Sequence, residues 1–226
     1  LEKSNFEAFL VGGCVRDMVM GKTPKDWDLT TNALPEQIIP LFEKTVYENT
    51  FGTVAVCVLK ENDEVPESIK ENSVHDVTRE TKEKYHILEV TPYRKEGKYT
   101  DFRHPNDVRF TNNIDEDLVR RDFTMNSLAY SLSSAYKGHT NGQIVDLYGG
   151  IQDIKDKTIR AVGNANDRFN EDALRMLRAV RFSTVLGFTI SAETFQAIVD
   201  NAHLLKHISQ ERIRDEFIKI IESSNP

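Results

Sequence analysis

Apolar positions along the chain fall into two regimes. Up to residue 150 they come in short runs rich in Val and Ile, bounded by glycine or charge, which is the pattern of strands. TVAVCVLK at 53–60 and HILEVTPY at 86–93 are the clearest, and 27–30 predicts a shorter strand. FEAFLV at 6–11 runs straight into Gly12-Gly13 and reads as a strand end or a helix-to-strand turn. Helices are predicted over 15–20, over 34–42 with Asn32 as N-cap, and over 114–132. DLYGG at 146–150 predicts a turn. From residue 170 onward the spacing is helical throughout: 171–186, a turn at Gly187, then 191–201 and 209–222. Ser191 and Ser209 each stand two positions ahead of a Glu, near the capping-box pattern without meeting its strict spacing. The expected fold class is α+β: a small mixed β-sheet with flanking helices over 1–150, then an all-helical domain over 151–226. Residues 61–85 stand apart. They are rich in Glu and Lys with almost no large apolar side chains, and read as a solvent-facing insertion or a long hairpin.

Composition narrows the function classes. The 226 residues carry 29 Lys and Arg against 36 Asp and Glu, a net charge of -7, with 39% hydrophobic residues. That length supports one large domain or two small ones with a real core. The acidic balance argues against a protein that grips nucleic acid over its whole surface, while leaving room for a local nucleotide site. No apolar run approaches the ~20 residues that cross a bilayer, so no membrane partner is expected. LEKSNFEAFL lacks the basic and long apolar segments of a signal peptide. Cys14 and Cys57 lie in apolar, strand-like runs, which suits a reducing cytoplasm better than a disulfide framework. The chain opens on Leu1 rather than Met and closes on the polar IESSNP, which reads as a piece of something longer.

The candidate chemistry is concentrated in residues 10–30. Gly12-Gly13 after an apolar strand lets the backbone come close to a phosphate, because no Cβ intervenes. Arg16 can donate to a triphosphate or pair with Asp17. Asp26 and Asp28 are one residue apart on a predicted strand, whose period of two puts both carboxylates on one face. Mg²⁺ takes oxygen ligands from one or two carboxylates plus substrate phosphates, so the pair has the donors that nucleotidyl transfer needs. A lone Gly-Gly is usually a turn and a lone Asp-x-Asp usually a solvated strand end; their ordered combination is what points to chemistry. Farther on, Asp172, Arg175 and Arg178 recur every three residues as a polar stripe opposite Leu174, Leu177 and Val180. On residues alone that stripe equally fits a surface helix with i,i+3 ion pairs.

Taken in order, these motifs resemble the class II tRNA nucleotidyltransferases (CCA-adding enzymes) and bacterial poly(A) polymerases of the DNA polymerase β superfamily. LVGGCVRD with DWDLTT resembles the first signature, RRDFTMN at 120–126 the second, and 146–182 the stretch joining the family's head to its neck. The resemblance implies a nucleotidyltransferase head over 1–150 and a helical neck over 151–226. Helical body and tail regions would follow beyond residue 226, so the chain is expected to hold a nucleotide pocket but to grip tRNA poorly.

By the resemblance, Asp26 and Asp28 would bind catalytic Mg²⁺, with Glu89 as candidate third carboxylate. Gly12, Gly13 and Arg16 would meet the triphosphate and Arg121 another part of the nucleotide, while Arg120 is a weaker candidate. Asp122 and Asn126, one helical turn apart, would meet the ribose; their bland reading is capping or packing. Asp172 and Arg175 would template the incoming base, and Arg178 and Arg181 would supply further nucleotide or phosphate contacts. A carboxylate accepts from an exocyclic amine and a guanidinium donates to a ring acceptor, which favours CTP and ATP over UTP and GTP. The site is expected in a cleft between head and neck, with the 3′ acceptor end of tRNA as second substrate. Residues 93–110, with Arg103 and His104, resemble the family's flexible loop and favour an enzyme able to add the terminal A.

Overall fold

The computed structural model describes residues 1–47, 52–60, 84–97, 107–132 and 142–223. Residues 61–83 of the polar stretch lie outside the described residues, as do Arg103 and His104. Two compact units form, one from 1–94, 110–114 and 129–145, the other from 95–109, 115–128 and 146–226, so the chain passes between them more than once.

The first unit is built on a seven-stranded mixed sheet. Its strands are β1 (Phe9–Val11), β2 (Trp27–Thr31), β3 (Thr45–Tyr47), β4 (Val54–Leu59) and β5 (Tyr85–Pro92), with two later ones. A separate pair, β6 (Arg94–Glu96) and β7 (Val108–Phe110), precedes those two, β8 (Leu128–Ser131) and β9 (Ile144–Asp146). The order is β3-β4-β5-β2-β1-β8-β9. β2 and β5 run parallel, whereas β1 pairs antiparallel with both β2 and β8 and β4 pairs antiparallel with both β3 and β5. Parallel neighbours need a long crossover, and the residues between β2 and β5 supply it.

β4 shows why the apolar runs were legible. Val54 and Val56 pack with Ala33, Ile38 and Val90 on one face, while Ala55 and Cys57 pack with Val46 and Tyr85 on the other. A strand covered on both sides reads as a continuous apolar run rather than an alternation. Both cysteines are buried and neither is in a disulfide among the described residues.

α1 (Gly13–Val19) follows β1 directly, as expected. The predicted helix over 34–42 is shorter: α2 (Pro35–Ile38) gives way to a 3-10 turn at Ile39–Leu41. Pro40 has no N–H to extend the ladder. Asn32 does not cap α2; its side chain accepts from the Glu7 N–H at 2.9 Å.

In the second unit the predicted helix over 114–132 breaks up. α3 (Ile114–Val119) ends early, and a 3-10 turn at Thr124–Asn126 leads into β8. The intervening backbone pairs instead with residues 160–162: Thr124 N–H donates to Arg160 at 2.9 Å and Val162 N–H to Asp122 at 3.1 Å. Tertiary pairing overrides local propensity here.

α4 (Gly150–Lys155) follows the expected turn, where the Asp146 carboxylate accepts from Gly150 N–H at 2.8 Å and Ile151 N–H at 2.9 Å. A Cβ on Gly150 would stand 2.3 Å from the Thr124 carbonyl oxygen. Gly150→Ala is therefore expected to cost about 1–3 kcal/mol by overpacking against backbone, read as a lower midpoint in urea with unchanged slope.

The predicted helix over 171–186 is two helices, α5 (Ala165–Glu171) and α6 (Leu174–Leu186). Between them Asp172 is extended, with φ -137° and ψ 105°, and its carboxylate accepts from Leu174 N–H at 3.0 Å. Asp favours a helix start over a helix interior, since there its side chain satisfies an orphan N–H. α6 ends on Gly187 at φ +68°, and α7 (Ala192–Asn201) and α8 (Gln210–Ile221) complete the set. Ser191 caps α7 through Thr194 N–H; Ser209 makes no side-chain cap. The stretch after 150 is helical save for a two-residue parallel pair, β10 (Thr158–Ile159) with β11 (Thr189–Ile190). Its core is Phe169, Ala173, Leu174, Met176, Ala197, Leu204 and Ile208. No helix among the described residues is long and apolar enough to cross a membrane.

Candidate active site

In the first unit the motif gathers at the ends of β1 and β2. Gly12 adopts φ +74° and ψ -132°, which turns the chain from β1 into α1 and which side chains rarely tolerate. Gly13 is not demanded by the fold, because a Cβ there would meet only Arg16, at 3.7 Å. Arg16 pairs with Asp17: Nε and Nη2 both donate to Oδ1, at 2.9 and 2.7 Å. The Cys14 thiol donates to the Val11 carbonyl at 3.2 Å and lies 3.7 Å from that of Asp28, tying the glycine turn to β2. Burial raises its pKa.

Asp26 is exposed in a bend one residue ahead of β2, so the strand-period argument applies to Asp28 and not to the pair. Asp28, half-buried in β2, is the direct register partner of Glu89 in β5, and Ala55 flanks Glu89 on the other side. Neighbouring strands lie about 4.8 Å apart and register partners share a face, so these two carboxylates project from the same side of the sheet. Among the described residues no group of three His, Cys, Asp or Glu is gathered into a metal cage. Two carboxylates without a cage still suit Mg²⁺, which keeps waters and substrate phosphates among its ligands, so the donor set fits that ion.

In the second unit the expected arginines are tied into carboxylates. Arg178 donates through Nε and Nη2 to Oδ2 of Asp122, at 2.8 and 2.6 Å. Oδ1 of the buried Asp122 accepts from Phe123 N–H at 2.8 Å and from the Asn126 amide at 3.3 Å. Asp122 and Asn126 therefore contact each other across a bend and a 3-10 turn rather than standing one turn apart along a helix. Burial pushes the Asp122 pKa up, and the Arg178 guanidinium outweighs it, leaving the carboxyl below its usual range. The Asp122 charge correspondingly raises the pKa of Arg178.

Asp172 and Arg175 engage different partners. Arg212 on α8 donates to both oxygens of Asp172, at 2.8 Å through Nη2 and 3.4 Å through Nη1. Arg175 is 8% exposed rather than on a surface stripe. Its Nη1 donates to Glu171 at 2.7 Å and its Nη2 to the Arg120 carbonyl at 3.0 Å. Glu171 also accepts from Arg168; its pKa is raised by burial, against the pull of Arg175 and Arg168. Arg181 bonds Glu216 of α8 and lies over the Phe182 ring, 4.2 Å from its centroid. Residues 120–122 and 175–178 are thus joined twice, by Arg178 with Asp122 and by Arg175 with the Arg120 carbonyl.

The poly A polymerase head domain matches residues 8–87 and 63–160. The chain belongs to that family. A second match, described as the probable RNA and SrmB-binding site of polymerase A, covers 187–226. Head-domain relatives include a CCA-adding enzyme of Lactobacillus helveticus, 44% identical over 97% of this chain and 47% of its own length. One of Oceanobacillus iheyensis is 42% identical over 100% of this chain and 48% of its own. The Bacillus stearothermophilus CCA-adding enzyme, solved in complex with CTP, is 37% identical with a TM-score of 0.76, covering 99% of this chain and 46% of its own. The chain spans about half the length of the curated relatives it matches.

Sequence reasoning missed the partners that hold these groups in this family member: Asp117, Arg168, Glu171, Arg212 and Glu216. Three carried a local signal, the i,i+3 and i,i+4 spacings of Asp117 with Arg120 and Arg121, Arg168 with Glu171, and Glu171 with Arg175. Arg212 and Glu216 carried none, since each reaches its partner across at least 35 residues.

Proposed function

We propose that this chain carries the nucleotidyl-transfer part of a cytoplasmic tRNA CCA-adding enzyme. An RNA 3′-hydroxyl attacks the α-phosphorus of CTP or ATP; the new O–P bond forms as the α–β phosphoanhydride breaks, and pyrophosphate leaves. The observation that carries this reading is Asp28 in register with Glu89, beside a Gly12-Gly13 turn tied to the same strand. The relatives at 40–44% identity, all named CCA-adding enzymes, support it.

Asp26 and Asp28 would hold Mg²⁺, which when bound offsets charge on the attacking oxygen and on the leaving pyrophosphate. Glu89 borders that pair as a third carboxylate. Gly12, Gly13 and Arg16 would take the triphosphate, Arg16 by exchanging Asp17 for phosphate oxygens. Asp172 keeps acceptor capacity beyond its two bonds to Arg212, because a carboxylate offers about four lone-pair sites, and can take an exocyclic amine. Arg175 would donate to the ring acceptor. Arg121 is assigned to the nucleotide, Asn126 with Asp122 to the ribose, and Arg181 to a further phosphate. Arg178 acts by keeping Asp122 ionised and in place.

The deciding experiment offers the full-length protein tRNAs that stop at each stage of CCA synthesis, with CTP and ATP separately, and resolves products by mass. One to three defined additions are expected. A long A ladder would favour a poly(A) polymerase instead, the second reading, which rests on the name of the matched family. No incorporation under any condition overturns both.

A further inference from the structure

Asp117, near the end of α3, is 0% exposed and holds two consecutive guanidiniums. Its Oδ1 accepts from Nε and Nη2 of Arg120 at 3.1 and 2.7 Å; its Oδ2 accepts from Nη2 of Arg121 at 2.9 Å. Burial would raise its pKa, but the two arginines overcome this and lower it to about 2, so it is a carboxylate at any physiological pH.

The two arginines are not equivalent. Arg120 is held a second time, by Glu96 at 3.1 Å through Nη1. Nε of Arg121 is buried with no hydrogen-bond partner, and Asp117 supplies the guanidinium's hydrogen-bonded contact among the described residues. A buried guanidinium N–H without a partner is costly, and an anionic oxygen is the acceptor that suits it. The backbone under both arginines is clamped as well. Arg168 Nη1 donates to the Val119 carbonyl at 2.9 Å and Arg175 Nη2 to that of Arg120 at 3.0 Å, covering acceptors that the end of α3 leaves open.

We propose that Asp117 is a positioning residue for phosphate recognition: by anchoring one nitrogen of Arg121 it presents the guanidinium's remaining donors to an anionic oxygen of the incoming nucleotide. This rests on the nucleotidyl-transfer reading, and it adds a residue outside the RRD motif itself. A merely structural Asp117 would neutralise Arg120 and affect nucleotide binding only through loss of fold.

The test is a double-mutant cycle in the full-length protein, with CTP and inorganic tripolyphosphate as calorimetric probes and the folded fraction followed by circular dichroism. Asp117→Asn is expected to weaken both probes about tenfold, the size of one lost charge-assisted bond, and to raise the KM for CTP more than it lowers kcat. In an Arg121→Met background the same change is expected to have no further effect. Asp117→Glu keeps the charge and displaces it by one methylene; it serves where the Asn variant does not fold, with a smaller loss that likewise vanishes beside Arg121→Met. Equal losses in both backgrounds, or unchanged binding by folded Asp117→Asn, would overturn the role of Asp117 alone. A wild-type chain that binds neither probe would sink the nucleotide reading and this role together.

Discussion

Asp28→Asn is expected to cut nucleotide incorporation by at least about a thousandfold, roughly 4 kcal/mol of transition-state stabilisation. Size and hydrogen-bonding reach are kept, so only the charge that would hold a divalent cation is removed. Asp28 is half-buried beside Glu89 on the same sheet face, so neutralising it relieves like-charge repulsion between the two carboxylates. The melting temperature is therefore expected to stay within a few degrees. Single-turnover incorporation and thermal melting, measured together, check both halves. Asp26→Asn should act in the same direction, since Asp26 is exposed in the bend that leads into β2. Full turnover by either variant would remove metal ligation by this pair, and with it the proposed chemistry.

Arg178→Ala should have the largest effect on stability. It strips a guanidinium from Asp122, which is 9% exposed and would keep only the Phe123 N–H and the Asn126 amide. Breaking a buried ion pair from one side costs about 3–5 kcal/mol, because the remaining charge is neither solvated nor compensated. The contact of Arg178 with the Phe182 ring, 5.4 Å from guanidinium carbon to centroid, is lost too. At roughly 2–4 °C per kcal/mol for a chain of this size, melting should fall by about 10 °C. Replacing both partners by apolar residues, Asp122→Leu with Arg178→Met, is expected to recover most of that loss, since no charge is then left buried. A double variant as unstable as Arg178→Ala would show that the segment depends on the ion pair itself rather than on avoiding an orphaned charge.

The elements that the chain specified by itself are those whose stabilising neighbours are close in sequence or whose burial is two-sided. β4 was legible because both of its faces are covered over 54–57, so those positions are apolar or small whatever the partner, and β5 because β-branched Ile87, Val90 and Thr91 mark a strand even though His86 and Glu89 are exposed. α1, the turn at 146–150 and the stop at Gly187 were legible because glycine and Asp caps act within four residues. The Gly12-Gly13 turn and the Asp28 strand position belong to the same class, and the resemblance of the motifs placed them in a family that the comparisons bear out. What tertiary structure decided begins where local rules compete. Residues 120–126 fit a continuing helix in the sequence, yet pairing of 122–124 with 160–162 leaves a bend, an isolated bridge at Phe123 and a 3-10 turn. Asp172 could extend a helix, yet it turns extended, accepts from the Leu174 N–H and takes Arg212 from a helix 40 residues away. Arg175 fits an exposed stripe in a helical wheel, yet Glu171 and a backbone carbonyl hold it inside. In each case a charge or an unsatisfied backbone group finds its partner far along the chain, and a one-dimensional pattern encodes periodicity but not which distant group arrives.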